Sequence, residues 1–301
     1  MTTKSKVAGA FMGLAIGDAL GAPVEGMKRG SFEPVSEMLE GGLHALPKGA
    51  WTNVTAMAIC LAQSLLSKHD LDVYDFMERL NRWVSAGENT STGICIGLDE
   101  FTEGVISNYQ QTGSIELNLL IEPSAGNFAL VRTAPIACIH WDNLDTVASI
   151  SRQQSFLTQS SEISASACEY LGLVLSHLIA GRGWDFIRNM PIKNDWSQEI
   201  KGIADFDWEN KNVEHLGASK FATGALEIAF WCIHNSKNFE DALTLAVNFG
   251  GASGSVGAIT GQIAGAIYGL EAIPIRWFDD LLKVEHLTDI AMQMVELSRS
   301  D

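Results

Sequence analysis

Two apolar segments of the chain carry a glycine at every fourth position, and this pattern restricts how the chain can fold. The two series are Gly9, Gly13, Gly17 and Gly21, and then Gly257, Gly261, Gly265 and Gly269. Inside a helix, each glycine costs about 1 kcal/mol relative to alanine. A spacing of four aligns the glycines on one helix face, where the absent side chains let another backbone approach closely. We therefore predict that both segments are helices packed tightly in the core.

A glycine at every fourth position is also typical of helices that dimerise in membranes. Asp18, Thr260 and Gln262 are polar interruptions that favour a soluble core instead. The apolar run from Val7 to Ala22 is also too short to span a bilayer comfortably. The polar N-terminus, Met1 to Lys6, lacks the layout of a signal peptide. We expect a soluble protein of the cytoplasm that has no membrane partner.

Helical periodicity dominates the remainder of the chain, and the two-residue alternation of strands is missing. The segments with apolar residues at helical spacing are Thr55–Lys68, Asp72–Val84, Glu162–Ile179, Ala218–Ile233, Glu240–Val247, Ser255–Tyr268 and Val284–Leu297. We predict an all-α fold in which residues 1–301 form a single compact multi-helix domain. The more polar stretch from Trp184 to Glu214 is interpreted as a surface excursion rather than a second domain.

The composition supports a folded chain and excludes one class of partner. Hydrophobic residues make up 47% of the chain and charged residues 19%, which is typical of a globular protein. The formal net charge of −16 argues against nucleic acid as a partner, because non-specific nucleic-acid binding needs a basic surface. The five cysteines are scattered without a C-x-x-C spacing, so we interpret them as small apolar residues in a reducing compartment.

Four blocks of sequence, in the right order, resemble the motifs of the ADP-ribosylglycohydrolase family. They are Gly9–Glu25, Gly49–Ala58, Gly126–Pro135 and Gly250–Ile259. The second block sits where the family has G-x-W-T-D-D-T-x-M-A, and the fourth where it has G-G-D-x-D-T-x-x-A-I. The family includes hydrolases that remove ADP-ribose from arginine. The resemblance implies an all-α fold with a cleft between the N-terminal and C-terminal motifs.

The resemblance also implies an active site that this chain does not reproduce. In the family, the T-D-D and D-x-D-T sets hold two magnesium or manganese ions, which suits hard cations that prefer anionic oxygen ligands. Here Thr52 is followed by Asn53 and Val54, where the family has two aspartates. Ala252 and Gly254 replace the aspartates of the second set, and Ser255 replaces its threonine. All four expected carboxylates are absent, so we expect no metal cofactor.

Further positions differ from the family pattern. Phe128 replaces a small residue, and its ring is expected to occupy part of the cleft. Asp99 and Glu100 are weak candidates to replace an acidic residue missing from the segment Ser91–Gly97. Gln159 falls where the family has a histidine.

No other catalytic motif replaces the missing one. The seven histidines form no H-E-x-x-H or other metal-ligand pairing, and there is no G-x-S-x-G nucleophile motif. Asp18 and Glu25 survive from the first block, and we interpret them as capping or packing residues. We predict no catalytic residue on these grounds, and whether the chain is an enzyme stays open.

A pocket that has lost its carboxylates is less negative, and exposed N–H groups at helix starts favour anions. The residues predicted to line it are Thr52, Asn53, Val54, Asn127, Phe128, Ala252, Ser253, Gly254 and Ser255. Thr52, Asn53, Ser253 and Ser255 are also candidates to cap the helices themselves. A silent pocket whose polar groups only cap helices is an equally open interpretation.

Three functional hypotheses follow. The leading one is a catalytically degenerate ADP-ribosylglycohydrolase homologue that acts by binding an ADP-ribose-like or anionic small molecule, or a protein partner. The alternative is a hydrolase of ADP-ribosyl or related glycosidic bonds that uses an altered site. The third is a structural or interaction protein whose cleft is blocked by Phe128 and Val54.

Overall fold

The computed structural model describes residues 1–115, 125–216 and 220–298, and within these ranges it contains fourteen α-helices and no strand. The helices are α1 Thr3–Gly21, α2 Asn53–Lys68, α3 Val73–Ala86, α4 Glu100–Thr112, α5 Ala134–His140, α6 Leu144–Phe156, α7 Glu162–Ile179, α8 Trp184–Arg188, α9 Gln198–Ala204, α10 Ala222–His234, α11 Phe239–Val247, α12 Ser253–Tyr268, α13 Ile275–Asp280 and α14 Val284–Leu297. The prediction of an all-α fold is confirmed.

The two glycine series bring α1 and α12 into backbone contact, as predicted. A Cβ built on Gly17 would lie 2.0 Å from the carbonyl oxygen of Gly257. A Cβ on Gly13 would lie 2.2 Å from the carbonyl oxygen of Gly261. No side chain fits at these distances, so the close approach of the two helices requires glycine at both positions. The paired helices form the centre of the hydrophobic core, with other helices packed around them.

The segment Thr3–Val24 is long and apolar enough to cross a membrane by length and composition alone. In this fold 94% of its most apolar window is buried inside the protein. A core helix that is covered on all sides has no need of a polar face. The burial of α1 in the fold therefore accounts for its apolar sequence.

Amphipathic helices surround this centre, and α3 illustrates how the sequence sets their limits. Asp72 caps the helix start by accepting hydrogen bonds from the backbone N–H groups of Tyr74 and Asp75. Gly87 ends the helix in the left-handed conformation, at a φ of 68°. Between these ends, the buried residues recur at helical spacing: Phe76, Met77, Leu80 and Trp83.

The predicted helix limits agree closely with the structure at α7 and α14, and differ at the two helices that begin beside the cleft. The helix predicted from Thr55 begins at Asn53, and the one predicted from Ser255 begins at Ser253. Apolar periodicity starts late in both helices, because their first turns carry small and polar residues. The predicted start of α10 at Ala218 lies outside the described residues.

The stretch from Trp184 to Glu214 is more than the surface excursion that its polarity suggested. Its helices α8 and α9 are short, but Trp196, Ile200 and Trp208 are buried in the main hydrophobic core. Trp208 stacks on Phe230 of α10, with ring centroids 6.1 Å apart. A few large aromatic side chains anchor the segment, although its average composition is polar.

Candidate functional site

The first turns of α2 and α12 meet at a cavity of about 210 Å³. Both are 16-residue helices, and both point their N-termini toward this cavity. The lining residues are Ala22, Glu25, Leu43, His44, Thr52, Asn53, Val54, Gly97, Leu98, Asp99, Asn127, Phe128, Lys220, Ala252, Gly254 and Ser255. The cavity lies where the sequence resemblance placed the cleft.

Asp18 of α1 holds the start of α2 in place. Its carboxylate accepts four hydrogen bonds, from the backbone N–H and the hydroxyl of Thr52 and from the same groups of Thr55, at 2.7–3.0 Å. The side chain is fully buried, and this burial raises its pKa against the opposing effect of the four donors. Thr52 itself caps the helix by accepting from the N–H of Val54.

Glu25 has the equivalent position at the start of α12. Its carboxylate oxygen Oε2 accepts from the backbone N–H of Gly254 at 2.9 Å and from the hydroxyl of Ser253 at 3.3 Å. Burial raises the pKa of Glu25, and the nearby carboxylate of Asp18 raises it further. The hydrogen bond from Gly254 acts in the opposite direction and lowers the pKa. A carboxylate that lines the cavity therefore occupies one of the exposed N–H groups of this helix.

Asn53 is a buried polar side chain of the cavity that has no hydrogen-bond partner among the residues the structure describes. Its exposed fraction is only 7%. Its amide oxygen lies against the backbone of Gly97, where a Cβ would come within 2.5 Å of it. Gly97 has a φ of 75°, a conformation that favours glycine, and a Cβ there would displace the Asn53 amide. The fold thus leaves room for the Asn53 amide and supplies no partner for it.

The segment that contains Asn127 forms the opposite wall. Asn127 donates its backbone N–H to the carbonyl of Lys220 at 2.9 Å, which brings the Lys220 side chain to the rim of the cavity. The hydroxyl of Ser255 donates to the side-chain oxygen of Asn127 at 3.4 Å, so the wall contacts the first turn of α12.

Arg132 supports this wall from behind. It is fully buried, and it donates to the side-chain oxygen of Gln154 at 2.7 Å and to the hydroxyl of Thr158 at 2.7 Å. Its guanidinium also lies over the ring of Phe76. Burial lowers the pKa of Arg132 to about 10.

Eight of the nine residues predicted to line a pocket do line this cavity, and Ser253 does not. Ser253 is fully buried, and its hydroxyl donates to the carbonyl of Gly21. The capping predictions are correct for Thr52 and wrong for Asn53, Ser253 and Ser255. The N-terminus of α12 has no cap from its own flanking side chain, because Glu25 from a distant segment supplies the acceptor.

Sequence reasoning also missed residues that the fold brings to the cavity. Glu25 was correctly interpreted as a capping residue, yet it lines the cavity as well. Asp99 lines the cavity, and its carboxylate also caps α4 by accepting from the backbone N–H of Thr102. Glu100 is exposed and does not line the cavity. His44 and Lys220 lie in loops and carried no motif that could have indicated this position.

The remaining departures from the family pattern have different outcomes. Phe128 and Val54 line the cavity without filling it, since about 210 Å³ remains. Gln159 is fully buried, and neither polar atom of its amide has a hydrogen-bond partner. It does not line the cavity.

The donors at this cavity do not fit a pair of divalent cations. Two carboxylates line it, and both already accept hydrogen bonds from helix starts. Val54, Ala252 and Gly254 present no side-chain oxygen. The described ranges contain no group of three or more His, Cys, Asp or Glu residues that could hold a metal ion. Magnesium and manganese prefer several anionic oxygen ligands, and the neutral oxygens of Thr52, Ser255 and the two amides do not replace them.

Known proteins match this chain in sequence and in fold. The family model for ADP-ribosylglycohydrolase matches residues 1–301. The ADP-ribosylarginine hydrolase Tri1 of Serratia proteamaculans is 35% identical over 96% of this chain and 78% of its own length. The ADP-ribosyl-[dinitrogen reductase] glycohydrolase of Rhodospirillum rubrum is 30% identical over 92% of this chain and 90% of its own length.

A solved structure described as an ADP-ribosylglycohydrolase-related protein complex superposes with a TM-score of 0.84 and 32% sequence identity. The match covers 98% of this chain and 99% of that one. The sequence motifs and the helical architecture agree with these matches. The chain belongs to the ADP-ribosylglycohydrolase family.

Proposed function

We propose that this protein binds the ribosyl end of an ADP-ribosyl group in the cavity between α2 and α12, without a metal ion. The observation that carries the proposal is the side chain of Asn53, a buried amide that lines the cavity and has no partner among the described residues. Buried polar groups are nearly always hydrogen-bonded, so an unpartnered one that lines a cavity is a candidate to contact a ligand. Ribose hydroxyls can both donate to and accept from such an amide.

The electrostatics of the cavity support the same proposal. Two long helices point their N-termini at it, and Lys220 stands at its rim. Each helix start carries a partial positive charge that favours a phosphate or another anion. Asp18 and Glu25 offset part of this charge, while neutral groups at positions 53, 54, 252 and 254 add no repulsion. The arrangement favours an anionic ligand more than a cavity with four further carboxylates would.

A second candidate is a hydrolase that cleaves the same type of group with an altered, metal-independent site. The names of the relatives favour it, since two of them are hydrolases of ADP-ribosylated substrates. Glu25 has a raised pKa, as a general acid needs, and Asp99 is a second carboxylate at the cavity. In this scheme Glu25 protonates the leaving group, while Asp99 accepts a proton from the attacking water.

The binding proposal is tested by thermal unfolding with ADP-ribose in the presence of EDTA. We expect ADP-ribose to raise the unfolding temperature of the unmodified protein, because a ligand that binds only the folded state stabilises it. Ala252→Phe places a ring in the cavity and should remove the shift. The matched control is Ser236→Phe, which places the same ring at a partly exposed position outside the cavity and should keep the shift. Absence of a shift in the unmodified protein would overturn the binding proposal.

The two candidates are separated by incubating the protein with an ADP-ribosylated arginine peptide in EDTA. The binding proposal predicts that the peptide stays intact. Turnover that persists in EDTA and is lost in Glu25→Gln and Asp99→Asn supports the second candidate. Turnover that EDTA abolishes and manganese restores contradicts both, because it requires a metal site.

A further inference from the structure

A second and larger recess lies directly beside the cavity. It has a volume of about 710 Å³ and is open to solvent. One wall is the loop Gly26–Gly30, and the other is the segment 213–216. We call this recess the lateral cleft. None of the sequence motifs discussed above predicts a function for it.

A short backbone pairing lies between the lateral cleft and the cavity. Gly26 donates its N–H to the carbonyl of Gly251 at 2.7 Å, and Gly251 donates to the carbonyl of Met27 at 2.8 Å. Gly26 and Gly251 line the lateral cleft, while their neighbours Glu25 and Ala252 line the cavity. A ligand that extends out of the cavity across this pairing therefore enters the lateral cleft.

The lateral cleft carries two cations on its wall, in a protein whose net charge is −16. The guanidinium of Arg29 lies 4.7 Å from the centre of the Phe249 ring and donates to the carbonyl of Val213 at 3.1 Å. These contacts hold a planar cation in place while most of its N–H donors stay available. Lys28 beside it is exposed, and Glu214 is the one acidic residue that lines the cleft among the residues described.

The cavity is too small to enclose a whole ADP-ribosylated molecule, so part of such a ligand must lie outside it. Sites that enclose a drug-sized ligand have volumes of about 300–1,000 Å³, so a cavity of 210 Å³ takes only one end of an ADP-ribosylated molecule. The lateral cleft is far larger than a diphosphate needs, and its open shape suits a short extended peptide. In a protein of net charge −16, the two cations of this cleft favour an acidic partner there over the acidic surface in general.

We propose that the lateral cleft binds an acidic peptide segment of the protein that carries the ADP-ribosyl group. Carboxylate side chains near the modified residue pair with Arg29 and Lys28. The inference rests on the proposed function of the adjoining cavity. It adds a specificity for sequence around the modified residue, which the cavity by itself does not supply.

The test compares two synthetic peptides that carry the same ADP-ribosylated arginine, one flanked by aspartates and the other by glutamines. Their dissociation constants are measured in EDTA against the unmodified protein. We expect the acidic peptide to bind about fivefold to tenfold more tightly, as two charge pairs at a partly exposed site allow. The preference should shrink at high salt, because salt screens exposed charge pairs.

The double variant Lys28→Gln, Arg29→Gln should bind both peptides equally. The matched control is Lys237→Gln, Arg182→Gln, which removes an exposed lysine and an arginine that lies over the ring of Phe186, neither of which lines the cleft. The control should keep the full preference. A preference that survives the Lys28 and Arg29 changes, or that is absent from the unmodified protein, overturns the inference.

Two further arms separate this inference from the proposed function. Free ADP-ribose should bind the double variant as it binds the unmodified protein. If ADP-ribose does not bind at all while an unmodified aspartate-rich peptide binds through Lys28 and Arg29, the proposed function fails and the cleft assignment stands. Competition by inorganic pyrophosphate for the acidic peptide's site, lost in the double variant, would instead assign the cleft to phosphate groups and overturn the peptide assignment.

Discussion

At the scale of single residues, two carboxylates hold the helix starts that form the site. The sequence motifs do not show which helix start each carboxylate binds. Asp18 serves the first turn of α2, and Glu25 serves the first turn of α12. Both accept hydrogen bonds from backbone N–H groups at helix starts, where a negative charge is favourable. The same two residues limit how much positive potential the helices present to a ligand.

Replacing Asp18 by asparagine should destabilise the fold strongly. In asparagine the single oxygen can take the place of Oδ2, which accepts three of the four bonds, but the NH₂ group then faces the Thr52 hydroxyl that donates to Oδ1. That hydroxyl loses its acceptor, and the three remaining bonds are made to a neutral group. We expect the free energy of unfolding to fall by about 3 kcal/mol, since buried donors without a partner are costly. Denaturant unfolding measures this value. Thr55→Val removes one of the four hydrogen bonds and should cost about 1–2 kcal/mol; equal costs for both variants would contradict this account of Asp18.

The raised pKa of Glu25 predicts a pH dependence of ligand affinity. Above that pKa the carboxylate is negative, repels an anionic ligand and occupies the N–H of Gly254. As pH falls through the raised pKa, which lies above the ordinary 4.5, the side chain becomes neutral and the affinity for ADP-ribose should rise.

Calorimetry across this pH range checks that prediction with Glu25→Gln, which should bind with little pH dependence. His44 also lines the cavity, so the unmodified and Glu25→Gln side chains are compared in a His44→Asn background. An equal pH dependence with and without Glu25 would show that another group is responsible.

At the scale of elements, the pairing of α1 and α12 fixes the distance between the two sequence blocks that form the site. Gly21 at the end of α1 lies against the backbone of Ser253 at the start of α12. Glu25 follows α1 by a few residues and can therefore reach Gly254. The glycine series thus positions the site as well as the core.

Gly17→Ala should separate these helices and destabilise the protein by about 3 kcal/mol or more, because its Cβ would lie 2.0 Å from a backbone oxygen. Gly202→Ala in α9 is the control, since its nearest neighbour is the end of the Asp207 side chain, which can move. There the gain in helix propensity should leave stability unchanged or raised by up to about 1 kcal/mol. Thermal unfolding measures both, and similar stability of the two variants would contradict the packing argument.

At the scale of the whole molecule, the sequence predicted the helical fold and eight of the sixteen residues that line the cavity. The glycine series required two closely packed helices, and the motif blocks placed Asn53 and Ser255 at one cleft. Lys220 and His44 reach the cavity from loops, where no periodicity or motif marks a position. Ser253 was wrongly placed, because the direction of one side chain at a helix start depends on tertiary contacts to Gly21 and Glu25.

Restoring the four carboxylates should create a metal-dependent protein. In the variant Asn53→Asp, Val54→Asp, Ala252→Asp, Gly254→Asp, the new side chain at position 254 lies near Asp18 and Glu25, with Cβ contacts of 3.3 and 3.4 Å. Repulsion among the carboxylates should lower the unfolding temperature in EDTA. Manganese should then raise the unfolding temperature. At a manganese concentration one hundred times the dissociation constant, the gain in the free energy of unfolding should be about 2.7 kcal/mol. The pair Asn53→Asp, Val54→Asp supplies half of the ligands and should gain less; an unmodified protein that gains as much as the fourfold variant would contradict the account.

The proposed function depends on binding of an ADP-ribosyl group in the cavity without metal. Isothermal titration calorimetry of the unmodified protein with ADP-ribose tests it most directly, in EDTA and again with an excess of manganese. The account predicts one binding site with the same dissociation constant under both conditions. Binding that appears only with manganese, or no binding under either condition, would contradict it.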